Sequence, residues 1–219
     1  MRINKFVALA TGMSRRTADA VVAKGRVKVN GVAVKTGQDI STKDSVTLDG
    51  SVLAVPAQTQ TIILHKPTDY VVSREGQGSK TVYDLLPSEL HHLKPIGRLD
   101  KNSSGLLLLT NDGRLAEQLT HPKYQKTKLY EITLDKPLAS LHRQIITDKG
   151  IMLDDGISRF GLTQSHERND RSWQVTMQEG RNRQIRRTFA ALGYEVTRLH
   201  RTQFGTYTLH LAPGKYELV

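Results

Sequence analysis

A chain of 219 residues with 37% hydrophobic composition can bury one large core or two smaller ones, and it should fold as a soluble protein. Lys and Arg number 32 against 21 Asp and Glu, a net charge of +11 with a pI near 9.9, which favours a polyanionic partner, nucleic acid before membrane. The absence of cysteine excludes a disulfide frame, a thiolate nucleophile and cysteine-ligated zinc, and fits a cytoplasmic setting.

The opening "MRINKFVALATG" is too short and too charged for a signal peptide, and no apolar run approaches about 18 residues, so no membrane segment is expected. Ile3, Phe6, Val7 and Ala10 share one helical face, and Ser14 is placed to cap a second helix in which Ala18, Val21 and Val22 repeat the pattern until Gly25. "RVKVNGVAV" then reads as two short strands around an Asn30-Gly31 turn, and "SVTLDGSVL" repeats that grammar at Asp49-Gly50. Residues 1–55 therefore form a two-helix plus β-hairpin module. Within residues 1–35, eight Lys or Arg stand against Asp19 alone, a density suited to phosphate. "AVPAQTQ", residues 54–60, is polar, carries a proline and lacks periodicity, as a linker does.

From Thr61 to Val219 the chain is a mixed α/β stretch in which "TIILHKP", "GLLLLT", "KLYEITL", "RSWQVTMQEG" and "YEVTRLH" read as strands. "GQGSKT" at residues 76–81 has serine where a phosphate loop needs glycine before its lysine, and reads as an ordinary loop. His91-His92 and His121-Pro122 are also loop residues.

"GRLDKNSSGLLLLTNDG", residues 97–113, poses a sharper question. Asp100, Asn102, Ser104 and Gly105 match the first half of a calcium loop, but Leu108 and Asn111 stand where the later ligands should be. A plain turn and a catalytic carboxylate remain as readings of Asp100. The second strong segment is "EGRNRQIRRTFAALGYEVTRLHR", with Arg181, Arg183, Arg186, Arg187, Arg198 and Arg201. Ile185, Phe189 and Leu192 give it a core-facing helix stripe closed by Gly193, and most of its arginines read as a solvated or phosphate-binding face.

The first 37 residues, "MRINKFVA…MSRRTADAVVAKGRVKVNGVAVKTG", resemble the small RNA-binding module first known from ribosomal protein S-four. That resemblance puts Arg15, Arg16, Lys24, Arg26 and Lys28 near RNA phosphates, where they would position the RNA and not read its sequence. "GRLDKNSSGLLLLTNDG", "KLYEITL" and "EGRNRQIRRTF", in this order, resemble the RsuA/RluB-type pseudouridine synthases. The R-L-D-x-x-[ST]-x-G-L and G-R-x-x-Q-[IV]-[RK]-R segments carry the likeness, which covers nearly the whole chain. His65 and Asp69 in "HKPTDYVVS" depart from the family's usual Asn and Gly and leave that loop's conformation open.

The resemblance implies an α+β protein: the N-terminal module, a linker, and over residues 61–219 a mixed, mainly antiparallel sheet forming the catalytic domain. It makes Asp100 the catalytic carboxylate, either attacking ribose C1′ or supporting a glycal-type intermediate. Arg186 is expected to pair with it and keep it ionised. Tyr130 would stack on uracil or act at the sugar, Arg98 would fill the space left by an extruded nucleotide, and Leu199 would line the base pocket. Arg181, Arg183 and Arg187 are expected at RNA phosphates. No metal and no cofactor is implied, because the isomerisation consumes neither electrons nor a transferred group. The expected partner is ribosomal RNA, as a structured hairpin or within an assembly particle, bound by a cytoplasmic monomer. Two other functions fit the basic modules less well: a non-enzymatic RNA-binding assembly factor, indifferent to changes at Asp100, and an RNA methyltransferase, whose glycine-rich cofactor loop is not found.

Overall fold

The structure is a computed structural model that describes residues 1–55, 58–165 and 170–219. It divides into two compact units, Met1–Gln60 and Thr61–Val219. Pro56 and Ala57, within the stretch expected to link two parts, lie outside the described residues.

In the first unit, α1 (Ile3–Thr11) and α2 (Arg15–Ala23) precede β1 (Val27–Val29), β2 (Val32–Ala33), β3 (Val46–Leu48) and β4 (Ser51–Val52). The strands pair antiparallel in the order β2-β1-β3-β4. The Ser14 side chain accepts from the Thr17 amide at 3.0 Å, the N-cap that its position suggested. At the other end of α2, Gly25 takes φ 69° and the amides of Gly25 and Arg26 return to the Val22 and Val21 carbonyls. Asn30-Gly31 and Asp49-Gly50 both hold positive φ at two successive residues, the conformation a two-residue hairpin turn requires. Ile3, Val7, Ala18, Val21, Val22, Val27 and Val46 form the buried centre, with Phe6 packed at its margin.

The second unit carries β5 (Thr61–Lys66), β6 (Lys94–Ile96), β7 (Ser104–Thr110), α3 (Gly113–Thr120), β8 (Lys128–Leu134), α4 (Ser140–Gln144), β9 (Ile151–Leu153), β10 (Gly156–Ser158), β11 (Gly161–Gln164), β12 (Ser172–Met177), α5 (Gln184–Ala190), β13 (Val196–Phe204), β14 (Tyr207–Thr208) and β15 (Tyr216–Leu218). Its main sheet runs β11-β12-β8-β13-β7-β5-β15, with β6 on β7 and β14 on β13, while β9 and β10 make a separate hairpin. The pairs are antiparallel except for β13 beside β7. The sheet is therefore mixed and mainly antiparallel.

The run "LLLL" lacks alternation because this sheet is covered on both faces. Leu107 and Leu109 enter one buried cluster with Ile62, Leu64, Ile132, Val175 and Phe189, whereas Leu106 and Leu108 enter another with Ile63, Ile96 and Phe204. Ile185 and Phe189 of α5 are buried as their spacing demands, with Leu192 packed against the same core. Among the described residues no helix is long and apolar enough to cross a membrane.

Candidate active site

Asp100 lies in the turn between β6 and β7. Leu99, its neighbour, is buried in the core, and the Ser103 amide closes the turn on the Asp100 carbonyl at 3.0 Å. Gly105 then allows β7 to pass close to β13: a Cβ there would sit 2.2 Å from the Arg201 carbonyl oxygen. Any larger residue would push apart the only parallel pair described in the sheet. The turn is thereby held over a cleft of about 390 Å³ whose walls include Asp100, Arg98, Tyr130, Arg183 and Leu199. Tyr130 comes from β8 and Leu199 from β13, both largely buried, and Arg98 is exposed.

The carboxylate's cation is not the one expected. Arg183 Nη1 donates to Asp100 Oδ2 at 3.4 Å. Arg186 instead donates to the backbone carbonyls of Val196 and, at 2.9 Å, of Asn102, with a longer bond of 3.4 Å to Ser103 Oγ. Its role is to brace the turn against β13. The backbone of Arg183 is left-handed at φ 47°, ψ 31° immediately before α5. That conformation is costly for a residue with a side chain, and here it accompanies the Asp100 contact. Burial lowers the Arg186 pKa and the neighbouring Arg183 adds to this, while Asp100 and Glu195 oppose it.

Two further arginines expected at RNA phosphates are committed to partners within the chain. Arg181 donates to the Asp155 carbonyl and carboxylate, each at 2.8 Å, and to the carbonyls of Gly156 and Ile157, clamping the β9–β10 hairpin. Arg187 donates to Asp155 Oδ2 at 2.6 Å and to the Asn182 carbonyl at 2.8 Å. That hydrogen bond from Arg187 is the main reason Asp155 titrates below the usual carboxylate range. Arg201, read as part of a solvated face, is only 2% exposed. In the first unit Arg15, Arg16, Lys24, Arg26 and Lys28 are all exposed, but Arg26 forms a two-bond pair with Asp49.

Lys66 is the residue the sequence reading missed. It is fully buried, and its ammonium donates to the carbonyls of Ser103 at 2.7 Å, Pro67 at 2.8 Å and Lys101 at 3.4 Å. It thus holds the Asp100 turn through carbonyls other than the one Arg186 takes. Burial lowers its pKa to about 8, against the attraction of Asp100 and then Asp69. A lysine closing the apolar run "TIIL" was the available signal, since such a charge must find acceptors. Asp69, where the resemblance led to an expectation of glycine, keeps a left-handed φ of 70°, a conformation Asp tolerates better than most residues, and its amide donates to the Lys101 carbonyl. His65 is buried, with Nδ1 at 2.7 Å from the Leu211 carbonyl. No group of three or more His, Cys, Asp or Glu among the described residues is placed to hold a metal ion.

Residues 60–191 match the sequence family described as RNA pseudouridylate synthase, and residues 1–46 match the S4 domain. A Xanthomonas campestris protein named ribosomal large subunit pseudouridine synthase B is 35% identical over 95% of this chain, which spans only 44% of that relative. A Pasteurella multocida protein named ribosomal small subunit pseudouridine synthase A is 36% identical, covering 99% of this chain and 94% of its own. A crystal structure of a pseudouridylate synthase aligns with 100% of this chain and 96% of its own, with TM-score 0.71 and 31% identity. With the family match spanning more than half of the residues and relatives above 30% identity over nearly all of them, this chain belongs to the RNA pseudouridylate synthase family.

Proposed function

We propose that this protein converts a specific uridine in ribosomal RNA to pseudouridine, with Asp100 as the catalytic carboxylate. The observation that carries the reading is the convergence of Asp100 and Arg98, Tyr130, and Leu199 on one cleft, from three separate places in the sequence. Asp100 either attacks ribose C1′ or supports formation of a glycal-type intermediate while uracil is released, turned and rejoined through C5. Arg183 supplies the contacting positive charge, and Arg186 with Lys66 fixes the turn that presents the carboxylate. Tyr130 and Leu199 offer the flat and apolar surfaces a uracil ring needs. A base within structured RNA must leave its stack to reach such a cleft, and Arg98, exposed and lining it, would fill the gap.

The relatives named for both ribosomal subunits support ribosomal RNA as the substrate class and favour neither subunit, at 35% and 36% identity. The first unit's exposed cations would dock the RNA by its phosphates. Incubating purified protein with each ribosomal RNA from a strain lacking it, then mapping pseudouridine by carbodiimide-dependent primer stops, tests the reading. One new stop is expected. None on either RNA, free or in assembly particles, would refute it and favour an RNA-binding assembly factor.

A further inference from the structure

The cleft holds a second charged feature besides Asp100 and its arginine. On β8, Lys128 and Tyr130 stand two residues apart and so point to one face. Strand β13 runs antiparallel beside it, with Arg201 opposite Tyr130 and Phe204 opposite Lys128. An irregularity between Arg201 and Gln203 shifts the register and brings Phe204 level with the lysine. The Lys128 ammonium lies 5.3 Å and the Arg201 guanidinium carbon 5.0 Å from the centroid of that one ring. All four side chains line the cleft that contains Asp100.

Neither cation is matched by a carboxylate in contact with it among the described residues. Arg201 donates from Nε to the Leu106 carbonyl at 2.8 Å, while its Nη2 is enclosed without an acceptor. Lys128 makes only two long bonds, each 3.3 Å, to the carbonyls of Gln178 and Glu179. Burial first, and the Arg201 charge second, push its pKa below the ordinary lysine range, with Glu179 opposing. Two adjacent, half-satisfied cations repel one another on the wall of one cleft. An incoming negative charge would relieve both.

Both routes open to Asp100 create such a charge, and the inference rests on that functional reading. The C1′–N1 bond breaks with its electron pair departing on uracil, which becomes an anion with charge on N1, O2 and O4. After the ring turns, a ring electron pair at C5 forms the new bond to C1′ as the Asp100 oxygen–C1′ bond made when N1 left is broken or, on the glycal route, as the proton taken from C2′ is returned there. One proton is lost from C5 and one is gained at N1, so no oxidant, reductant or co-reactant is needed.

We propose that Lys128 holds a carbonyl oxygen of the uracil ring and that Lys128 and Arg201 together stabilise the departing uracil anion. Lys128 touches the ring and is a catalytic residue. Arg201 is a positioning residue, which fixes the Phe204 side of the site and adds its charge from behind. A backbone phosphate would satisfy the same two cations, but the enclosure of Arg201 favours the ring, which enters more deeply.

The test uses the full chain and a synthetic RNA hairpin spanning its mapped target, carrying either uridine or 5-fluorouridine there. Fluorine at C5 stabilises the ring anion, so that substrate needs less help to break its bond. In single turnover at saturating enzyme, Lys128→Met and Arg201→Met should each consume the uridine RNA about 100-fold more slowly and the 5-fluorouridine RNA only about tenfold more slowly, with affinity within about twofold. Arg201→Lys should recover most of the rate; should Arg201→Met fail to fold, Lys128→Met decides the question alone. Equal slowing of the two substrates would overturn the inference. So would a loss confined to affinity and its salt dependence, which would assign the pair to a phosphate. If the unaltered protein forms no pseudouridine, the functional reading falls and the inference with it, whereas normal wild-type conversion with equal slowing overturns the inference alone.

Discussion

The two units use the same kind of residue in opposite ways. Arg15, Arg16, Lys24 and Lys28 of the first unit stand exposed to solvent. Arg181, Arg186 and Arg187 of the second spend their donors on backbone carbonyls and on Asp155, and Lys66 spends its ammonium on three carbonyls. A planar guanidinium is well suited to such internal capture because its fork reaches several oxygens at once. Positive charge in this protein therefore has two duties. Exposed cations respond to salt and, on the proposed reading, would serve encounter with RNA, while the committed ones set local geometry.

The largest separation of those duties is expected at the carboxylate they surround. Asp100→Asn preserves shape and surface charge elsewhere but removes the anion, so product formation should fall below detection while RNA affinity is retained. Single-turnover conversion and a binding titration on the same preparation check this; turnover above background would remove Asp100 from the chemistry.

The next effect divides the two arginines nearest that residue. Arg183→Met deletes the direct contact and should slow the saturated rate by about 10- to 100-fold with little change in unfolding midpoint. Arg186→Met leaves the Asn102 and Val196 carbonyls short of a donor, so it should cost about 1 to 3 kcal/mol of stability as well as rate. Denaturant unfolding beside single-turnover kinetics distinguishes them. Equal stability losses would mean that Arg183 is also a brace.

A smaller effect concerns Lys66 and pH. Its folded pKa of about 8 lies below the unfolded lysine value, so between those two pH values the unfolded chain binds more protons than the folded one. Stability from this group therefore rises as pH climbs from about 8 toward 10.4, by at most about 3 kcal/mol, and is flat below that window. Unfolding curves should show the wild type gaining on Lys66→Met across the window. A constant difference between them would place the Lys66 pKa in its ordinary range.

Much of the fold was legible because its signals are local. Asn30-Gly31 and Asp49-Gly50 dictate positive-φ turns, Ser14 caps α2, and a four-leucine run fits a strand buried on both faces. The residues of the cleft were legible through the resemblance, since Asp100 and Tyr130 sit in the segments that carry it, while Leu199 lies outside those segments and followed only from the family's roles. What escaped were long-range pairings. Asp155, in a hairpin not foreseen from "IMLDDGIS", takes up Arg181 and Arg187, and nothing near those arginines in sequence announces it. The choice of Arg183 over Arg186 accompanies one left-handed backbone position, which an arginine in a polar run does not advertise. Arg201 looked like its exposed neighbours because burial in β13 is decided by β7 and β8, which flank it in the sheet.

The division between docking and shaping cations is most directly tested by comparing two variants on one RNA. In the first, Arg15, Arg16, Lys24 and Lys28 are all changed to Ala; the second is Arg183→Met. Affinity is measured against salt and the single-turnover rate at saturation. The fourfold variant should lose about 0.7 to 0.9 from the slope of log K against log salt for each phosphate contact removed, with its saturated rate intact. Arg183→Met should keep the slope and lose the rate. A fourfold variant that keeps the slope but loses the saturated rate, while remaining folded, would contradict the account and make the N-terminal unit part of the chemistry.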